Sequence, residues 1–98
     1  MRKILLIFTF LISTLTAFSQ ISGTITDSIS NESVVGALIL IQGEAGKGTT
    51  ADTNGKFELK NLDKSIYTLE IRYTGYQSQF ITTSSKDTLN IKLKEKTN

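Results

Sequence analysis

Apolar and polar residues alternate along most of this chain, which is the period-two pattern of half-buried β-strands. In residues 66–73 the side chains of Tyr67, Leu69, Ile71 and Tyr73 share one face, opposite polar residues. Similar segments, separated by turn residues, predict seven strands: 20–27, 34–42, 48–52, 56–60, 66–73, 77–83 and 88–94. Because helical periodicity is missing from this part of the chain, we expect an all-β, seven-stranded antiparallel sandwich.

Two turns punctuate this pattern. Asn54 and Gly55 precede an alternating strand, and an Asn-Gly pair favours a type I′ hairpin turn because both residues tolerate positive φ. The sequence Y-T-G-Y at residues 73–76 ends another strand at Gly75. Both turns predict an antiparallel β unit, and neither supplies catalytic chemistry.

Four segments in order carry a resemblance to a known family: G-T-I-T-D (23–27), V-V-G-A (34–37), G-T-T-A-D-T-N-G-K-F (48–57) and Y-T-G-Y (73–76). The chain resembles the carboxypeptidase regulatory-like domain, with Val35 where that family often has proline. The resemblance implies a non-catalytic, Greek-key sandwich of the transthyretin (prealbumin) type. It also implies a setting, because such domains precede the plug and barrel of many TonB-dependent outer-membrane receptors.

The start of the chain has the organisation of a secretory signal peptide. Arg2 and Lys3 precede an apolar run over residues 4–12, and small residues follow at the cleavage position. The run is shorter than the roughly 20 residues that span a bilayer. We therefore predict a signal peptide over residues 1–19, a carboxypeptidase regulatory-like domain over 20–98, and export to the periplasm or the periplasmic side of the outer membrane.

Charge and composition exclude several functions. Removing Arg2 and Lys3 from the 11 basic residues leaves nine, equal to the nine acidic residues, so excess positive charge does not favour nucleic acid as a partner. The chain has no histidine and no cysteine, which removes the usual nucleophilic triads, thiol chemistry and zinc sites. Asp52 and Asn54 have part of the spacing of a calcium loop but lack its other ligands. We predict no catalytic, cofactor or metal site, and no enzyme.

Leu38 and Leu40 are the candidate interaction residues. If Ala37, Ile39 and Ile41 point into the core, the pleat of the strand turns these two leucines outward. The patch would then contact a protein partner or a second copy. The alternative is a central strand whose outer face is covered by a loop or by neighbouring side chains.

These observations predict an exported, non-catalytic interaction or accessory module. Its expected partner is a protein of the cell envelope, such as an outer-membrane receptor or its energising machinery, and a free sheet edge could add an extended peptide. Two alternatives stay open: the leading fragment of a truncated TonB-dependent receptor, since the sequence ends at Asn98 before any plug or barrel, and a structural domain of a larger envelope assembly. The pattern does not specify an oligomeric state.

Overall fold

A computed structural model describes residues 19–97, so the predicted signal peptide lies outside the described residues except for Ser19. The described part is all-β and contains no helix. Its strands are β1 (Ser19–Asp27), β2 (Leu38–Ile41), β3 (Gly48–Thr50), β4 (Lys56–Leu62), β5 (Ile66–Arg72), β6 (Gln79–Ser84) and β7 (Thr88–Leu93). Seven strands therefore overlap the seven predicted segments, although β2 covers only four residues of the predicted 34–42. Over residues 19–97 no helix long and apolar enough to cross a membrane is present.

The strands form two sheets that pack as a sandwich. One sheet has three strands in the order β4-β1-β7, and the other has four in the order β3-β2-β5-β6. Alternate residues of both sheets point into the space between them, because successive side chains of a strand face opposite sides. Fourteen buried apolar residues form the core: Ile21, Ile25, Val34, Ala37, Ile39, Ile41, Ala51, Phe57, Leu59, Tyr67, Leu69, Ile71, Ile91 and Leu93.

One strand pair corrects the prediction of an entirely antiparallel fold. β1 and β7 are parallel, with Ser22 opposite Thr88 and Asp27 opposite Leu93. The other pairs, including β1 with β4, are antiparallel. Alternation within a strand reports burial on one face and carries no information on the direction of its neighbour, so the pattern could not distinguish the two. The Greek-key connectivity stays a prediction.

The Asn-Gly turn also differs from the predicted type I′ hairpin. Gly55 has a φ of 75°, but the non-glycine residues with positive φ in the described chain are Asn31 and Asn61, so Asn54 is not one of them. The Gly55 N–H donates to the Asp52 carbonyl at 2.9 Å, and the Asp52 carboxylate accepts the N–H groups of Asn54 and Lys56. Because β3 and β4 belong to different sheets, this turn crosses the sandwich. The Asp52 N–H also donates to the Lys56 carbonyl at 2.9 Å, so backbone and side-chain hydrogen bonds of this aspartate together close the turn.

A glycine on β1, the central strand of the three-stranded sheet, leaves space for an aromatic ring. Gly23 faces Phe57 on β4 and Leu89 on β7. A Cβ atom at Gly23 would lie 2.8 Å from two ring carbons of Phe57 and 2.6 Å from the Leu89 carbonyl oxygen. The ring thus fills the space over Gly23, and the Phe57 side chain is buried at 3% exposure.

Candidate interaction surface

The two leucines singled out from the sequence do face outward. In β2, Ile39 and Ile41 are buried, whereas Leu38 is 41% exposed and Leu40 is half-buried. Ala37, just before the strand, is fully buried. The predicted orientation is confirmed, while the proposed role of these leucines in binding stays a prediction.

The neighbours of the two leucines explain why Leu40 is less exposed than Leu38. Leu40 lies opposite Gly48 on β3, and a Cβ atom at Gly48 would come within 3.1 Å of the Leu40 Cδ2 atom. The Leu40 side chain therefore spreads over the bare backbone of Gly48. Leu38 lies opposite Thr50 and Arg72, and its side chain stays open to solvent. Of the two interpretations drawn from the sequence, cover by neighbouring residues applies in part to Leu40.

Two further apolar residues face outward on the four-stranded sheet. Register places Leu40 opposite Glu70 of β5, and Glu70 opposite Phe80 of β6. Phe80 is 61% exposed, and Ile66 on the same outward side of β5 is 62% exposed. We call the outward side chains of Leu38, Leu40, Ile66 and Phe80 the outer face. The sequence analysis did not single out Phe80, because Phe80 and Ile81 are adjacent apolar residues that obscure the alternation.

Polar groups sit within and beside this apolar surface. The Arg72 Nε atom lies 3.6 Å from a Glu70 carboxylate oxygen, so an ion pair separates β2 from β6 on the outer face. A shallow depression beside Leu38 is lined by Arg72, Tyr73 and Lys96. Tyr73 is 41% exposed. The surface thus combines aliphatic, aromatic and cationic groups, which are suited to contact with a protein.

A hydrogen bond between two side chains with strongly shifted pKa values links the G-T-I-T-D segment to the Y-T-G-Y segment. The Tyr76 hydroxyl donates to the Asp27 Oδ2 atom at 2.7 Å, and the Oδ1 atom accepts the N–H groups of Ile29 and Ser30. These bonds, that from Ser30 first, lower the pKa of Asp27 to about 2. The bond to Asp27 raises the pKa of Tyr76 to about 12. The Tyr76 bond holds the end of β1 against the turn after β5, and the two N–H bonds fix the loop that follows β1, so the pair is structural.

The carboxylates of three further aspartates also accept hydrogen bonds from residues close in sequence. In each case a hydrogen bond to the carboxylate lowers its pKa. The main donor is the Lys56 N–H for Asp52, the Tyr67 hydroxyl for Asp63 and the Thr83 hydroxyl for Asp87. Their oxygens therefore accept bonds from their own loops. Asp52, the candidate for a calcium loop, directs one oxygen at two backbone N–H groups 2.9 Å away. Within residues 19–97 no group of three or more potential metal ligands is present.

Comparison with known proteins places this geometry in context. A solved chain of a type II cohesin–X–dockerin complex from Acetivibrio cellulolyticus, a C-terminal interface mutant, superposes with a TM-score of 0.61 at 24% identity, covering 74% of this chain and 52% of that chain. The Streptococcal ancillary pilin gives a TM-score of 0.57 at 18% identity, with 83% and 30% covered. A DUF3823 family protein from Bacteroides uniformis gives 0.52 at 12% identity, with 79% and 43% covered. These likenesses show a shared fold.

The comparisons also define the extent of the relationship. The chain spans about half the length of the first solved chains that it matches. No curated protein matches the sequence significantly. The model of the CarboxypepD_reg-like domain matches residues 21–98, which include every strand except the first two residues of β1. The chain therefore belongs to the CarboxypepD_reg-like domain family.

Proposed function

We propose that this protein is a non-catalytic interaction module of the cell envelope that binds a protein partner through the outer face of its four-stranded sheet. The observation that carries the proposal is the outward position of Leu38, Ile66 and Phe80, which are 41%, 62% and 61% exposed. An antiparallel sheet facing water on its outer side would carry polar residues there. Exposed apolar groups grouped on one face are typical of a protein-binding surface.

The chemistry of the surface supports a protein as the ligand. Arg72 and Lys96 flank the exposed ring of Tyr73 beside Leu38. Such a surface suits a partner with apolar side chains and a carboxylate nearby, because interfaces place apolar contacts centrally and charges at the rim. The absence of histidine and cysteine from the sequence leaves the common nucleophilic mechanisms without their residues.

The comparisons support the same class of function. The family is that of a carboxypeptidase regulatory-like domain, and two structural neighbours come from a cohesin–X–dockerin complex and from a pilin. The cellular setting is part of the proposal: export by the N-terminal segment, residence in the periplasm or at the outer membrane, and an outer-membrane receptor or its energising machinery as partner. That setting rests on the signal-like N-terminal sequence and on the resemblance to receptor-linked domains.

A crosslinking pull-down with the full chain tests the proposal. The bait is expressed in its native host, crosslinked in intact cells, and recovered from the envelope fraction, and captured proteins are identified by mass spectrometry. We expect an outer-membrane receptor or a component of its energising machinery. Recovery of the bait alone contradicts the proposal.

Paired variants locate the contact. Leu38→Ser with Leu40→Ser removes apolar groups from the outer face, and we expect loss of the captured partner with the circular dichroism spectrum retained. The matched control is Ile29→Ser with Val35→Ser, which changes two exposed apolar residues outside the strands of that sheet and is expected to preserve capture. Phe80→Ser provides a second test on a highly exposed side chain if the leucine variant unfolds. Wild-type capture by a folded Leu38/Leu40 variant refutes the assignment.

A further inference from the structure

The depression beside Leu38 is lined by charges of one sign. Arg72 ends β5, Lys96 follows β7, and both side chains line this depression. Its volume is about 490 Å³, which is within the range of ligand-binding clefts. The described residues that line it include no aspartate and no glutamate. The depression therefore attracts an anionic group and repels a cationic one.

Both cations retain the capacity to bind a carboxylate. The ion pair of Arg72 with Glu70 uses the Arg72 Nε atom at 3.6 Å, which leaves the two terminal guanidinium nitrogens outside that contact. These side chains are 52% and 28% exposed, so water weakens their attraction. The ion pairs within residues 19–97 do not include Lys96. An incoming carboxylate can therefore accept hydrogen bonds from a guanidinium and from an ammonium group.

Backbone pairing fixes the segments that carry the two cations. Arg72 lies directly opposite Leu38 in the paired strands β5 and β2. The Lys96 N–H donates to the Gly75 carbonyl at 2.9 Å, so the segment after β7 is attached to the turn after β5. Because these segments are already ordered, binding has to immobilise only side chains, which lowers its entropic cost.

Two tyrosines supply aromatic surface to the same depression. The ring centroids of Tyr73 and Tyr76 lie 6.0 Å apart, and the Tyr76 hydroxyl is held by Asp27 at 2.7 Å. A Cβ atom at Gly36 would lie 3.7 Å from the Tyr73 Cε1 atom, so the Tyr73 ring lies close to the backbone there. Tyr73 and Leu38 are each 41% exposed. Apolar surface is therefore open to a ligand beside the two cations.

We propose that this depression binds an acidic side chain of the envelope partner together with an apolar side chain of the same partner segment. The carboxylate lies at Arg72 and Lys96, and the apolar group lies on Leu38 and Tyr73. The inference rests on the proposed function, since it gives the chemistry of the partner that the outer face binds. Because Arg72 and Leu38 are cross-strand neighbours, the two partner groups must also be neighbours. In an extended segment they are two residues apart, where side chains share a face.

Charge and apolar surface together favour a protein segment over other anions. Nucleic acids and anionic membranes are bound through a large excess of positive charge. Without Arg2 and Lys3 the 11 basic residues become nine, equal to the nine acidic residues, so the chain has no such excess. An inorganic anion would leave Leu38 and Tyr73 exposed to water. An acidic residue near an apolar one neutralises the cations and covers this apolar surface.

A matched pair of peptides tests this chemistry without the natural partner. The probes are the acetylated, amidated tripeptides F-T-D and F-T-N, titrated into ¹⁵N-labelled protein that is purified after expression of the full chain. We expect amide shifts around Leu38, Arg72 and Lys96, with F-T-D binding about two- to fivefold more tightly, as exposed ion pairs allow. Salt at about 1 M should abolish that difference. Equal affinities, or no shifts around the depression at the solubility limit of F-T-D, overturn the proposal.

Neutralising variants test the same contact with the natural partner. Arg72→Gln with Lys96→Gln should reduce capture in the crosslinking pull-down at least about fourfold, since two ion pairs are lost. The matched control is Lys60→Gln with Lys86→Gln, which removes two exposed cations elsewhere, one of them also paired with a glutamate, and should preserve capture.

The outcomes separate this inference from the proposed function. Capture at the wild-type level by a folded Arg72/Lys96 variant refutes the inference and leaves the proposed function standing. An equal loss in the control variant also refutes it, because the effect would then be one of overall charge. If the wild type captures no protein, the proposed function fails, and the peptide titration decides whether the depression binds a carboxylate.

Discussion

Replacing Gly23 by alanine inserts a methyl group into space that two neighbouring strands already occupy. The new Cβ atom would lie 2.8 Å from the Cε1 and Cζ atoms of Phe57 and 2.6 Å from the Leu89 carbonyl oxygen. The Phe57 ring can move only against the core that buries it. The Leu89 carbonyl belongs to the backbone of β7, which is fixed by its parallel pairing with β1.

These contacts set the expected magnitude. Overpacking a close-packed core by one methyl group costs about 1–3 kcal/mol. Since one of the two contacts is with backbone, we expect the Gly23→Ala variant to lose about 3 kcal/mol of unfolding free energy. A domain of this size has a total stability of about 4–12 kcal/mol. The melting temperature should therefore fall by about 12–24 °C.

Urea denaturation followed by far-UV circular dichroism measures this loss. Gly43→Ala is the matched control, because Gly43 has a φ of 84° and no atom within 4 Å of the added Cβ. That control should lose only the backbone cost of a left-handed alanine, about 1–2 kcal/mol. Gly23 is not in the left-handed region, so its variant carries no such backbone cost and its loss reflects the steric contribution.

A double-mutant cycle identifies the clashing groups. Phe57→Leu removes the ring atoms that meet the new methyl group, so combining it with Gly23→Ala should cost less than the sum of the two single changes. We expect a coupling of about 0.5–3 kcal/mol. Strict additivity, or a Gly23→Ala loss no larger than that of Gly43→Ala, would show that the ring does not fill the space over Gly23.

Three further changes test the core, the Asp27 contacts and the crossing turn. Leu69→Ala empties a fully buried site and should cost about 2–5 kcal/mol, whereas Ile66→Ala on the same strand, 62% exposed, should cost far less; equal losses in urea melts would contradict the assigned core. Because the pKa of folded Asp27 is about 2, below the ordinary 3.8, its carboxylate stabilises the fold above about pH 4, and this stabilisation is lost as the pH falls through about 2. In Asp27→Asn the melting temperature should therefore fall less steeply than in the wild type between pH 5 and about 2. An identical pH profile for the two proteins would refute the stabilising role of the Asp27 carboxylate. Gly55→Ala should destabilise strongly, since its Cβ would lie 2.5 Å from the Ile25 carbonyl at a φ of 75°; a wild-type melting temperature would contradict this.

The strands could be predicted because their signal is local. Period-two alternation reflects one-sided burial of each segment, and it correctly oriented Ile39 and Leu69 inward and Leu38 outward. The end of β5 before Gly75, whose φ is 88°, was likewise predicted from a nearby glycine. Both properties depend on residues a few positions apart along the chain.

Other features depended on contacts between distant residues. The parallel pairing of β1 with β7 and the division into two sheets follow from how connections cross the sandwich, which strand composition does not encode. The Tyr76 hydroxyl reaches the Asp27 carboxylate across 49 residues of sequence.

The candidate surfaces divide in the same way. Alternation alone predicted that Leu38 and Leu40 face outward, because the pleat of a single strand determines the side to which each residue points. The exposure of Phe80 and the position of β6 at the end of its sheet became visible only in three dimensions. Whether a strand lies at the centre or at the edge of a sheet is decided by which neighbours the tertiary fold places beside it.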